Sequence, residues 1–122
     1  MTVKLLNFVG SSLDDLRNFP DEARRAAGFE LRAVQNGLEP SDWKPIHVIG
    51  PGVKEIRVHV LGEWRVVYVA KVRDVVYVLH AFQRRPKKRA AMILIWLADG
   101  TGRVEVSYEK KGRYQIFRKR IH

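Results

Sequence analysis

"VKEIRVHVLGEWRVVYVAKVRDVVYVLHAF" runs from Val53 to Phe82 and consists of three stretches rich in β-branched and aromatic residues. The stretches are separated by "LGE" and "RD", links of hairpin size. The pattern predicts three strands, Val53–Val60, Trp64–Val72 and Val75–Phe82, joined as an antiparallel meander. Pairing Val60 with Trp64 and Val72 with Val75 sorts the side chains. Ile56, Val58, Val60, Trp64, Val66, Tyr68, Tyr77, Leu79 and Ala81 share one face, fit to receive helices. The other face carries Glu55, Arg57, His59, Arg65, Val67, Val69, Val78, His80 and Phe82. It therefore gathers two arginines and two histidines on an otherwise apolar surface, and a slip of one residue at the first turn would part Arg57 from Arg65.

The residues before this meander supply what would cover it. "VKLLNF" reads as a first strand. "SSLDDLRNF" can open a helix, with Ser11 or Ser12 as cap and Asp14 and Asp15 in the first turn, where the helix dipole favours acids. Pro20 suits the start of a second helix, and Ala23, Ala26, Ala27, Leu31 and Val34 recur along one helical face. Asn36-Gly37 reads as its C-terminal cap. "LEPSDWKPIHVIGPG", with three prolines, reads as a loop. The fold class expected is α+β, an N-terminal helical pair packed on a small antiparallel sheet.

Length and composition set outer limits. A chain of 122 residues is the size of one domain and needs no covalent staple to fold. With no cysteine it has neither disulfides nor thiolate metal sites, and a reducing compartment suits it. The first residues lack a signal-peptide pattern, and the apolar run Ala90–Ala98 is too short to span a bilayer, so a cytoplasmic protein with no membrane contact is expected. Four scattered histidines give no metal-ligand spacing, and no cofactor motif is found, so neither metal nor cofactor is expected.

The net charge of +10 is unevenly placed. Arg84 to His122 holds 12 Lys/Arg against 3 Asp/Glu, and the rest of the chain is nearly balanced. From about Pro86 the chain changes character: a basic run, "RRPKKR", then "AAMILIWLA", then a charged segment. Met92 to Leu97 must be covered to avoid an exposed apolar patch, as a strand or helix beside the sheet. "RVEVSYEKKGRYQIFRK" alternates and can turn at Lys111-Gly112, so a charged, weakly packed hairpin or loose end is expected for Glu109–His122.

Several pieces, in order, carry a resemblance: Phe19-Pro20, Leu31 with Val34-Gln35-Asn36-Gly37, Lys44-Pro45, Gly52-Val53-Lys54-Glu55-Ile56-Arg57, Trp64-Arg65-Val66-Val67-Tyr68 and Tyr77-Val78-Leu79-His80-Ala81-Phe82. Over about residues 3 to 85 the chain resembles the phage-derived HigB-like toxins of the RelE/ParE superfamily. The resemblance implies a RelE-like fold and the toxin half of a type II toxin–antitoxin system. It implies a ribosome-dependent messenger RNA endoribonuclease, with a cognate antitoxin, mRNA and the ribosome as partners. The alternatives are a degenerate homologue that binds antitoxin or RNA without cutting, and a ParE-like gyrase inhibitor.

Cleavage by attack of a 2′-hydroxyl on the adjacent phosphate needs a proton acceptor and cationic donors for the developing charge. Arg57 and Arg65 suit the phosphate, His80 suits proton transfer, and Lys54, Arg84, Arg85, Lys87 and Lys88 suit RNA backbone. The chain departs from the family where an Asp-Ile-Asp-Leu-Ala helix and an arginine-rich segment should follow. Read one base over, the codons of "MILIWLADGTGR" permit Asp-Ile-Asp-Leu-Ala-Arg-Arg-Arg-Tyr-Arg-Ala. This matches a chain that leaves the family frame near Pro86; a shifted frame that meets an early stop in the genomic DNA would dismiss the idea.

Overall fold

The structure, a computed structural model, describes residues 3–70, 74–85, 90–96, 103–109 and 112–120. Eight strands and two helices appear among them: β1 Leu5–Phe8, α1 Ser12–Arg17, α2 Asp21–Gln35, β2 Trp43–Pro45, β3 Val53–Val58, β4 Glu63–Val69, β5 Val75–Arg84, β6 Ala90–Trp96, β7 Arg103–Glu109 and β8 Tyr114–Arg120. They form a five-stranded sheet of order β1-β5-β4-β3-β2 and a separate three-stranded sheet of order β6-β7-β8. The α+β class holds, with both helices on one face of the larger sheet.

That sheet is mixed rather than wholly antiparallel, because β1 runs parallel to β5. The connection between them runs through α1 and α2 to the far edge and back through β2, β3 and β4, which gives the parallel pair the long link it requires. α2 ends as its sequence foretells. Gly37 takes φ +80°, its N–H reaches the Val34 carbonyl at 3.0 Å, and the Leu38 N–H reaches Ala33 at 2.9 Å. This is the paired bonding of a glycine C-cap. Ala23, Ala27, Leu31 and Val34 are buried on α2 against Ile56, Val66, Tyr68, Val76 and Val78. The segment expected to be a loop contains a three-residue strand, β2, which pairs with β3 through Trp43 and Ile56. Pro45 is tolerated because β2 is an edge strand.

Arg57 stands directly opposite Arg65, and Val58 opposite Trp64. The pairing is thus two residues away from Val60 with Trp64, and an even displacement leaves every side chain on its expected face. β5 is different. His80 lies opposite Val67 but Val78 opposite Tyr68, so Leu79 is an extra residue at a bulge. The bulge reverses the alternation in the first half of β5. Val78 turns to the helices, while Tyr77 and Leu79 join the opposite face, contrary to expectation.

That opposite face is itself a core. Val53, Val67, Val69 and Leu79 are buried against Ile95, Val106, Tyr108 and Tyr114 of the three-stranded sheet. The molecule therefore has three layers: helices, mixed sheet and C-terminal sheet. Met92 to Trp96 falls in β6, as expected of an ordered segment, and Leu97 lies outside the described residues. Of the two forms expected for the last segment, hairpin or loose end, the structure has the hairpin, β7 paired with β8, and it is packed more firmly than expected, with Tyr114 buried.

Candidate functional site

Because β3 and β4 alternate in phase, Glu55, Arg57 and Arg65 emerge together on the face under the C-terminal sheet. Glu55 is fully buried. Its carboxylate accepts a hydrogen bond from Arg57 Nε at 2.9 Å, and Arg65 Nε stands 3.9 Å away. The Tyr114 hydroxyl donates to its other oxygen. Burial, then the Glu55 charge and that hydrogen bond, push the Tyr114 hydroxyl well above its ordinary pKa, so it stays a donor. One carboxylate thus bridges two guanidiniums and a phenol.

The two arginines differ in access. Arg57 keeps 29% of its side chain exposed. Arg65 keeps only 3% and donates to the Tyr108 hydroxyl at 3.3 Å, to Glu63 at 3.3 Å and to the Trp64 carbonyl at 3.0 Å. Lys44 closes the edge by donating to the Gly112 carbonyl at 2.7 Å. Gly112 has φ +77°, which favours glycine, and a Cβ there would lie 3.9 Å from the Arg57 guanidinium.

His80 is not in this cluster. Its ring sits 5.8 Å from Phe82 and 3.7 Å from the Asp15 carboxylate on α1. It borders a shallow cleft with Asn18, Phe19, Trp64 and Gln83. Burial lowers its pKa more than Asp15 raises it, which favours the neutral imidazole, able to accept a proton. Lys54 is also elsewhere. It follows the opposite alternation to Glu55, pairs with Glu39 at 3.2 Å and lies 4.4 Å above the Trp43 ring. Arg84 ends β5 opposite Glu63, Arg85 is exposed, and Lys87 and Lys88 lie outside the described residues.

From the sequence, Tyr108, Tyr114 and Lys44 are not among the candidate site residues, and Glu55 is placed on the arginine face without a role. Alternation in "RVEVSYE" marks Tyr108 as a buried position, but nothing local says which surface receives it. No group of three His, Cys, Asp or Glu fit to hold a metal occurs among the described residues. No described helix is long and apolar enough to cross a membrane.

At the rim, His59 is gripped by two carboxylates, Asp42 at 2.6 Å and Glu63 at 2.8 Å. The Asp42 and Glu63 hydrogen bonds raise its pKa above the ordinary 6.5, against a smaller effect of burial. For Glu63, burial acts upward, yet His59 and Arg65 together bring it below the ordinary 4.5. The His59 contribution to stability is complete below its ordinary pKa and is lost as pH rises through the raised one. That of Glu63 is complete above its ordinary pKa and is lost as pH falls through the lowered one. The melting-temperature gap between the parent and His59→Ala should therefore be widest between the ordinary carboxylate and imidazole values, 4.5 and 6.5, and shrink as pH rises through the raised His59 value. A gap that grows toward alkaline pH would refute the clamp.

Comparison with known families places residues 14–92 on the model described as "Phage derived protein Gp49-like (DUF891)". The match takes in both arginines, His80 and the two helices nearly whole, and stops within β6. No match is found among curated proteins or among solved structures. With most of its length matched, the chain belongs to the phage-derived Gp49-like family, which is related to the toxins of type II toxin–antitoxin systems.

Proposed function

We propose that this chain is the toxin of a type II toxin–antitoxin pair, of the HigB-like kind, and that it cleaves messenger RNA on the ribosome. The observation that carries the reading is the Arg57–Arg65 pair, set face to face across β3 and β4 in a member of a toxin-related family. Two adjacent guanidiniums match the equatorial oxygens of a phosphate under attack. In the reaction the 2′-oxygen forms a bond to phosphorus and the bond to the 5′-oxygen breaks. The products are a 2′,3′-cyclic phosphate and a 5′-hydroxyl end. The partly exposed Arg57 meets the phosphodiester first and Arg65 stabilises the charge behind it; neutral His80, which stands beside α1 and outside the arginine cluster, takes the 2′-hydroxyl proton through intervening water, and solvent gives a proton to the leaving 5′-oxygen. Arg85 and the basic residues after it attract the RNA backbone. The cognate antitoxin would neutralise the chain.

Inducing the chain in cells and mapping transcript 5′ ends tests this. New ends inside translated codons are expected; intact messages together with DNA damage would instead point to a gyrase poison. One observation favours a second reading, a homologue that binds without cutting: Arg65 is almost wholly buried and already saturated by Glu55, Glu63 and Tyr108. The 5′-end map of the parent separates the two, since a chain that only binds makes no cuts; His80→Gln then tests the proton acceptor. Under the nuclease reading it should slow cleavage about 10- to 100-fold, less than loss of an arginine; unchanged cut-site yield removes His80 from the reaction.

A further inference from the structure

We propose that the C-terminal sheet β6–β8 is an intramolecular cover, seated on the arginine face and able to lift from it without unfolding the five-stranded body. The inference rests on the preceding reading only for what the cover hides, not for the cover itself.

Three features carry it. First, among the described residues the two sheets share no strand pairing: β6, β7 and β8 bond to one another, and β1 to β5 form a sheet of their own. Lifting the cover breaks no ladder bond in either. Second, the described contact includes an apolar seam and polar ties at its edge. Val53, Val67 and Leu79 meet Ile95 and Val106. Tyr108 ties to Arg65, Tyr114 to Glu55, and the Gly112 carbonyl to Lys44. Third, two of the ties end on the charged cluster an incoming phosphate would meet, Tyr108 on Arg65 and Tyr114 on Glu55. Glu55 already supplies the anion between the two guanidiniums, and Tyr114 holds Glu55 in place. The closed form is thus self-neutralised, and Arg65 becomes available only when Tyr108 leaves.

The absence of cysteine allows a direct test. Val67 is fully buried in the seam, and Val67→Cys places a single, nearly isosteric thiol there. Its reaction with a thiol-specific dye in the full chain reports opening. Labelling is compared with that in the Tyr108→Phe/Tyr114→Phe background, and both with global unfolding followed by circular dichroism in urea. Losing two such ties should speed labelling at least ~10-fold, with labelling much faster than global unfolding in both backgrounds. Labelling that only tracks global unfolding, or is unmoved by the tyrosine changes, would overturn the cover. Val69→Cys, in the same seam, serves if Val67→Cys does not fold. Binding of a fluorescein-labelled oligouridylate is measured in parallel. Tighter binding in the tyrosine variant, abolished by Arg57→Ala, supports both readings. Faster labelling with flat binding keeps the cover and shows that lifting it exposes no surface for free RNA; the nuclease reading then rests on the 5′-end map alone.

Discussion

Replacing Glu55 by glutamine should lower the unfolding free energy by about 3 kcal/mol and the melting temperature by roughly 10 °C. The carboxylate is fully buried and is the shared counter-charge of Arg57 and Arg65. Glutamine keeps the volume and one acceptor oxygen, so packing alone predicts almost no change. What it removes is the negative charge beside Arg65, which is 97% buried and among the described residues retains the partly exposed Glu63 as its ionic partner. A buried guanidinium deprived of its main counter-ion is among the few single-residue defects that reach this size. The origin of the loss can be checked in the same experiment. Changing Glu55, Arg65 and Tyr114 together to Met, Leu and Phe should recover much of the stability, because no charge is left stranded. Chemical denaturation of the three proteins decides the matter. A Glu55→Gln chain that unfolds at the parental urea concentration would show that the cluster is not held by charge.

Arg57→Ala should reduce cleavage, and with it growth arrest, by about 100-fold or more, the usual effect of losing one donor to the transition state. It should do so with little loss of stability. Arg57 is partly exposed, and Glu55 keeps Arg65 and Tyr114 when it goes. Arg57→Lys should restore only part, since a single ammonium cannot offer two parallel hydrogen bonds. Arg65→Ala is a poorer test than its place on the same face implies. It removes an ionic partner of both Glu55 and Glu63, so lost toxicity there would mix chemistry with unfolding. Equal growth arrest by parent and Arg57→Ala, at equal protein level, would take Arg57 out of the reaction.

The same contrast affects how the tail is understood. The family match ends within β6, yet the strands beyond it bury Ile95, Val106, Tyr108 and Tyr114 on the larger sheet. Covering that face needs only apolar area, strands that pair and a few donors in reach. It does not depend on whether the tail is in the family's reading frame. Hydrophobic burial is non-directional, whereas phosphate chemistry requires guanidiniums that are reachable, and the tail satisfies the first demand at the expense of the second.

What the sequence determined by itself is local. The cap at Asn36-Gly37, the apolar stripe of α2 and the alternation of β3 and β4 each follow from periods set by the backbone, and each appears in the structure. The sharing of one face by Arg57 and Arg65 survived a two-residue error of register, because side-chain direction in a strand depends only on parity. The tertiary structure alone decided three things. It placed the bulge at Leu79, which sent Tyr77 and Leu79 away from the helices. It brought Tyr108 and Tyr114 onto residues 43 and 59 positions earlier in the chain. It also turned an arginine expected on an open surface into a buried ion pair, and set His80 beside α1 instead of beside the arginines. The physical reason is the same for all three. A period of two or of 3.6 residues says which side chains share a face, but which distant surface covers that face is settled by the packing of whole sheets, and burial and charge pairing follow from the cover.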